Sequence, residues 1–122
     1  MNIDRHETVS DQFSRIVIHE RTGYFAGLVT DKPDSSFVEQ CQDVLAKLDR
    51  LLTTAGTARR SLLSVTVYLK SFEDYESYRA TWAAWIDLQS LPARATVQAD
   101  LRDPRLLIEV QAIAALEDDR VR

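Results

Sequence analysis

The sequence predicts an α+β fold, a two-layer sandwich in which a mixed β-sheet carries two helices on one face in the order ββ-α-β-α-ββ. Three observations predict it. Phe37, Cys41, Val44, Leu45, Leu48, Leu51 and Leu52 fall on one helical stripe. Leu63, Val65, Val67 and Leu69 alternate with Ser64, Thr66, Tyr68 and Lys70, which is the period of a strand. Near the end, Leu106, Ile108, Val110 and Ala112 share one face of a strand, and Leu107, Glu109, Gln111 and Ile113 share the other.

The elements follow in chain order. Residues 1–12 are polar and mixed in charge, and read as a flexible arm. FSRIVIH from Phe13 and YFAGLVT from Tyr24 form a hairpin about Glu20-Arg21-Thr22-Gly23. Asp31 to Ser35 is a loop, with Pro33 disfavouring helix at Lys32. Ser36 and Glu39 make a capping box, and Gly56 is a left-handed stop, so the first helix runs from about Ser36 to Ala55. The second helix carries Tyr75, Tyr78, Trp82, Trp85 and Ile86 on one stripe and ends before Pro92. The runs RATVQAD and LLIEVQAIAAL are the last two strands, which would lie near each other if they form a hairpin about Asp103, with a register that the sequence does not give, and residues 117–122 read as a flexible tail. The whole chain, 1–122, is expected to be one domain. Two helices cover one sheet face only, so the other face predicts self-association.

Composition narrows the function classes. With 15 basic and 19 acidic residues the net charge is −4, and a pI near 5.1 argues against a general nucleic-acid binder. No apolar run approaches the ~20 residues of a membrane helix, and the first residues lack the apolar core of a secretory signal. One cysteine fits a reducing compartment, so the expectation is a cytoplasmic protein. Cys41, His6 and His19 are too few and too scattered for a zinc site, and no glycine-rich phosphate loop exists. Cys41 sits on the core stripe, where a buried inert thiol is expected. The aromatic stripe of the second helix reads as core rather than as a binding platform.

Arg94 and Glu109 stand out. Arg94 opens a strand directly after Leu91-Pro92-Ala93, and Glu109 interrupts an apolar strand, where a carboxylate is costly unless water, a cation or a substrate satisfies it. Two readings stay open: a structural salt bridge between them, or a site in which Arg94 grips a substrate carboxylate and Glu109 holds a water.

PARATV (Pro92 to Val97), LIEVQAIA (Leu107 to Ala114) and the helix with its late tryptophans together resemble the YjgF/Rid family of reactive-intermediate deaminases, also known as L-PSP endoribonucleases, and most of all its short YoaB-like members. The resemblance is colinear from about Phe13 to Ala115. It implies a chorismate-mutase-like fold, a homotrimer with the sheets inward, and clefts that draw residues from two subunits. It implies hydrolysis of 2-imino or enamino acids to 2-keto acids and ammonia without metal or organic cofactor. Arg94 would bind the substrate carboxylate, Glu109 would position water, Gly27 would line the cleft with its backbone, and Thr96 would contact the ligand through its main chain.

Departures from the family pattern bear on substrate range. Phe13 and Ala26 stand where its best-studied deaminases have tyrosine and serine, Arg79 replaces an asparagine, Thr96 a cysteine, and Gln111 an acidic residue. If Arg79 enters the cleft, an acidic imino acid is the expected substrate; if it points outward, it is a solvated helix residue. The competing functions are a non-catalytic trimer that binds small carboxylates through Arg94 and, well behind, a ribonuclease.

Overall fold

The computed structural model describes residues 1–117. Six strands form one sheet: β1 (Ile3–Val9), β2 (Phe13–His19), β3 (Thr22–Leu28), β4 (Leu62–Leu69), β5 (Ala93–Gln98) and β6 (Ile108–Ala115), in the spatial order β1-β2-β3-β6-β4-β5. The helices α1 (Phe37–Ala55) and α2 (Tyr75–Trp85) lie on one face. Among the described residues no helix is long and apolar enough to cross a membrane.

Local chemistry fixes α1. The Glu39 amide donates to Ser36 Oγ at 3.2 Å and the Ser36 amide donates to Glu39 Oε1 at 3.3 Å, completing the capping box. Gly56 closes the helix at φ 83°, its N–H directed at the Leu52 and Thr53 carbonyls. The stripe from Phe37 to Ala55 packs onto Ile16, Ile18, Phe25, Val65, Val67, Val110 and Ala112 from the sheet. Between the helices, Arg59 donates to Asp49 at 2.9 Å and to the Trp85 carbonyl at 2.5 Å while stacking on the Trp85 ring, whose Nε1 also donates to Asp49 at 2.9 Å. Tyr78 and Trp82 are buried with Tyr75 and Trp85 packed beside them, so the aromatic stripe is core.

Three expectations change. Residues 3–9 are not an arm: they form edge strand β1, antiparallel to β2 with Ile3 opposite His19 and Val9 opposite Phe13. The alternation was hidden because an edge strand tolerates charge on both faces. Glu7 then reaches Arg50 of α1 through two hydrogen bonds of 2.9 and 3.1 Å. The β2–β3 turn uses Glu20, at φ 58°, as its left-handed residue, while Gly23 lies inside β3. A Cβ at Gly23 would come within 3.2 Å of the Phe25 ring and 3.4 Å of Leu116, so that glycine serves packing.

The third change concerns the end of the chain. β5 and β6 do not form a hairpin; β4 lies between them, parallel to β5 and antiparallel to β6. β4-α2-β5 is a crossover unit, the connection that parallel neighbours require. β6, with Ile108, Val110, Ala112 and Ala114 all buried, takes the centre of the sheet, and the largely exposed β5 takes the edge. Beyond Glu117 the expected tail lies outside the described residues. Glu117 itself is held by Arg60, Ser61 and the Gly56 carbonyl.

Gln40, fully buried, ties α1 to two loops. Its Nε2 donates to the carbonyls of Pro33, Ser35 and Arg105 at 3.2, 3.3 and 2.9 Å, and its Oε1 accepts from the Leu107 amide at 2.9 Å. Gln40→Leu removes the side-chain partner of four part-buried backbone groups and is expected to cost about 2–4 kcal/mol, read as a lower denaturation midpoint at unchanged slope in urea.

Candidate active site

Strand alternation decides which candidate residues can meet. Arg94 is the register partner of Val65, and Glu109 that of Tyr68. Val65 is buried under the helices, whereas Tyr68 belongs to the opposite, uncovered face. Arg94 and Glu109 therefore leave the sheet on opposite faces, two strands apart, about 10 Å sideways alone. The salt bridge between them is absent.

On the open face, Phe13, Gly27 and Glu109 come together in a cleft of about 690 Å³ that also includes Arg15, Arg102 and the segment Leu28–Asp31. The pairing of β3 with β6 shifts register between Phe25 and Leu28, placing Gly27 beneath Glu109. A Cβ there would collide with Glu109 Oε2 and come to 3.0 Å from Cδ, so glycine is what lets the carboxylate lie against the backbone. Glu109 makes no hydrogen bond or ion pair among the described residues. Burial raises its pKa above the ordinary glutamate value, and the Arg102 charge opposes that rise. Ala26 sits at the same bulge and adds no polar group.

The cleft wall is tied to α1. Thr30 Oγ1 donates to Asp43 at 2.6 Å, the Asp31 amide donates to the same carboxylate at 3.2 Å, and Lys47 Nζ donates to the Val29 carbonyl at 2.7 Å while pairing with Asp31 at 2.8 Å. The Thr30 hydrogen bond chiefly holds the Asp43 pKa below the usual carboxylate value.

On the helix face, the Arg94 guanidinium lies 5.1 Å from the Tyr78 ring centre and 5.2 Å from that of Trp82. It has no ion-pair partner among the described residues. Thr96, the register partner of Val67, leaves β5 on the same face. The Tyr78 hydroxyl is buried without a hydrogen-bond partner, and burial raises its pKa against the opposing pull of Thr96 and Arg94. Arg79 is exposed and pairs with Glu76 at 3.1 Å, one helical position from Tyr78 and outside the Glu109 cleft.

The candidate residues thus form two groups in one chain: Phe13, Gly27 and Glu109 on the open face, and Arg94, Thr96 and the α2 aromatics on the other. Sequence reasoning missed the cations of the cleft. Arg15 was legible in principle, being two residues from Phe13 and so on its side of β2; Arg102 comes from a loop and had no periodic signal. Cys41 is wholly buried, and burial pushes its thiol up to about 11, as suits an inert core residue. Among the described residues no group of three or more His, Cys, Asp or Glu could hold a metal ion.

The position of Glu109 gives a stability prediction. A carboxyl whose folded pKa exceeds its unfolded one favours the protonated native state, so its destabilisation grows as pH rises above the unfolded value and is complete above the folded one. Glu109→Gln is expected to raise Tm by on the order of 1–2 °C at pH 7.5. Melting curves should show that gain shrinking to nothing near pH 4.

Residues 5–116 match the sequence model of the Endoribonuclease L-PSP family. A RutC family protein of Haemophilus influenzae is 35% identical over 106 residues, covering 86% of this chain and 91% of that protein. The RutC family protein YoaB of Escherichia coli is 33% identical over 105 residues, with the same shares. Among solved structures, an uncharacterized protein from Pseudomonas aeruginosa superposes with a TM-score of 0.91 at 34% identity, covering 95% of this chain and all of that one. NMB1025 of Neisseria meningitidis, a member of the YjgF protein family, gives a TM-score of 0.89 at 31% identity, covering 97% and 98% of the two chains. The chain belongs to the Endoribonuclease L-PSP family, the YjgF/Rid family of the sequence resemblance.

Proposed function

We propose that this protein hydrolyses reactive 2-imino and enamino acids to 2-keto acids and ammonia, in clefts between the subunits of a homotrimer. The observation that carries the reading is Glu109: a carboxylate without a partner among the described residues, half-buried over Gly27 in a cleft, with its pKa raised by burial. Such a group can hold a water and accept its proton. The open sheet face and the exposed edge strand β5 supply the surfaces through which a second copy would bring Arg94 to that carboxylate.

In this mechanism Arg94 of one copy binds the substrate carboxylate by two parallel hydrogen bonds, fixing the adjacent C=N carbon. Glu109 of another copy accepts a proton as the water oxygen attacks that carbon of the protonated imine, leaving a neutral carbinolamine. The carbinolamine then collapses: Glu109 returns its proton to the nitrogen, the C–N bond breaks and ammonia leaves, the hydroxyl oxygen forms the C=O bond as its proton passes to Glu109 and on to water, and the keto acid remains. An enamine first takes a proton at its β-carbon to become the imine. Thr96 and Gly27 contact the ligand through main-chain groups, and Phe13 and Ala26 line the site without hydroxyls. Nothing in this chemistry calls for a metal or an organic cofactor.

A second reading, a trimer that binds small carboxylates without turning them over, is favoured by those two missing hydroxyls. The family name includes an endoribonuclease, yet the residues lining the Glu109 cleft include no histidine for general acid–base cleavage of RNA.

The test is a coupled assay in which an amino-acid oxidase generates imines and semicarbazide traps what escapes hydrolysis. Arg94→Ala and Glu109→Gln are each expected to lower kcat/KM at least 100-fold, Glu109→Gln leaving keto-acid binding within a few-fold. Mixed and reassembled, the two inactive variants should recover about one quarter of wild-type activity, because a random trimer then pairs intact Arg94 with intact Glu109 at that fraction of its clefts. No recovery would reject the shared site, and no imine hydrolysis alongside tight keto-acid binding would favour the second reading.

A further inference from the structure

The Glu109 cleft holds more positive charge than its surroundings neutralise. Four cations line it: Arg15, Lys47, Arg50 and Arg102. Two are engaged, Lys47 with Asp31 at 2.8 Å and Arg50 with both oxygens of Glu7. Arg15 and Arg102 have no carboxylate within ion-pair distance among the described residues. Arg15 feels the charge of Glu7, but that carboxylate is already bound at both oxygens by Arg50. Arg102 feels Asp103, whose oxygens accept from Arg105 at 2.8 and 3.2 Å. In a chain of net charge −4, two uncommitted guanidinium groups in one cleft form a local field for anions.

Their placement fits a second anchoring point. Arg15 leaves β2 on the side of Phe13 and lines the same cleft as Gly27 and Glu109. Arg102 approaches from the loop between β5 and β6, near enough for its charge to act on Glu109. Both belong to the same chain as Glu109, whereas Arg94 lies on the far face. A ligand held at one end by Arg94 of a neighbouring copy and reacting above Glu109 would therefore meet Arg15 and Arg102 with the end that extends beyond its reacting carbon.

We infer that Arg15 and Arg102 form a subsite for a second acidic group, making short-chain 2-imino dicarboxylates the preferred substrates. This rests on the imine-hydrolase reading and specifies its substrate class. The sequence offered Arg79 for that role, but Arg79 is paired with Glu76 outside this cleft, and Arg15 and Arg102 take its place. Two guanidinium forks suit a planar carboxylate, and an imine with a neutral side chain leaves both of them unmet.

The experiment compares imines generated from glutamate and aspartate with those from leucine and methionine, on wild type, Arg15→Gln, Arg102→Gln and the double variant. Wild type is expected to favour the acidic imines at least 30-fold in kcat/KM. Each single variant should cut that ratio several-fold, and the double variant should bring it near unity. Charge-keeping Arg102→Lys should retain most of it. In parallel, binding of 2-oxoglutarate and of 2-oxobutyrate is measured by titration, including on Arg94→Ala. Neutral imines hydrolysed as fast as acidic ones, or a double variant with an unchanged ratio, would overturn the subsite while leaving the imine-hydrolase reading standing. Absence of all imine hydrolysis would overturn that reading; the subsite would then stand or fall on whether wild type binds 2-oxoglutarate at least tenfold more tightly than 2-oxobutyrate, and the double variant does not.

Discussion

The constraint on which this molecule turns is that a six-stranded sheet has two faces and the described residues supply helices for only one. Side chains alternate across a strand, so every residue of β4, β5 and β6 is assigned to the helical core or to the open face. Arg94 and Thr96 go with the core-facing set, and Glu109 and Gln111 with the open set. One chain cannot bring Arg94 and Glu109 to the same small molecule. The open face, with Tyr24 43% and Val97 42% exposed, is a surface that a second copy would cover, and the same contact that buries it could join the two halves of a site. Stability of the assembly and completion of chemistry would then be one event.

How much of this was legible in the sequence follows from how much is local. The capping box at Ser36, the stop at Gly56 and the stripe of α1 are local, and they formed where the pattern placed them. The strand runs of β4 from Val65 and of β6 were equally plain, because one buried face forces alternation; Leu63, expected on the face of Val65, is instead exposed, because β4 shifts register against β6 there and Leu62 takes the buried place. Partnerships were not local. That β4 separates β5 from β6 depends on which strand most needs two neighbours, a comparison across the whole sheet. β1 was missed for a related reason: an edge strand keeps charge on both faces, so its pattern resembles that of a loop. Gly23 shows a different limit. A glycine beside a turn suggests a left-handed residue, but Glu20 adopts that conformation and Gly23 clears space for Phe25 and Leu116.

The site divides along the same line. Glu109 was visible as a carboxylate where an apolar residue belongs, and its setting agrees with that anomaly, since burial raises its pKa and Gly27 gives it room. Arg94 was visible only as an arginine opening a strand. Its stacking on Tyr78 and Trp82 arises because the β4-α2-β5 crossover returns β5 to the sheet edge beside the helix it has just left. The loop contribution of Arg102 had no periodicity from which it could be read.

The stacking bears on what Arg94 can do. A guanidinium held beside two aromatic rings, its N–H donors bonded to no other described residue, keeps available the groups that recognise a carboxylate bidentately. The rings restrict the side chain before any ligand arrives, so less freedom remains to be lost on binding. A salt bridge with Glu109 would have done the reverse, spending the same donors inside the protein and neutralising the one carboxylate that the cleft leaves available. Sheet alternation keeps the two apart within a chain. It thereby preserves both as unpartnered groups, an arrangement that favours a ligand between two copies over an ion pair within one.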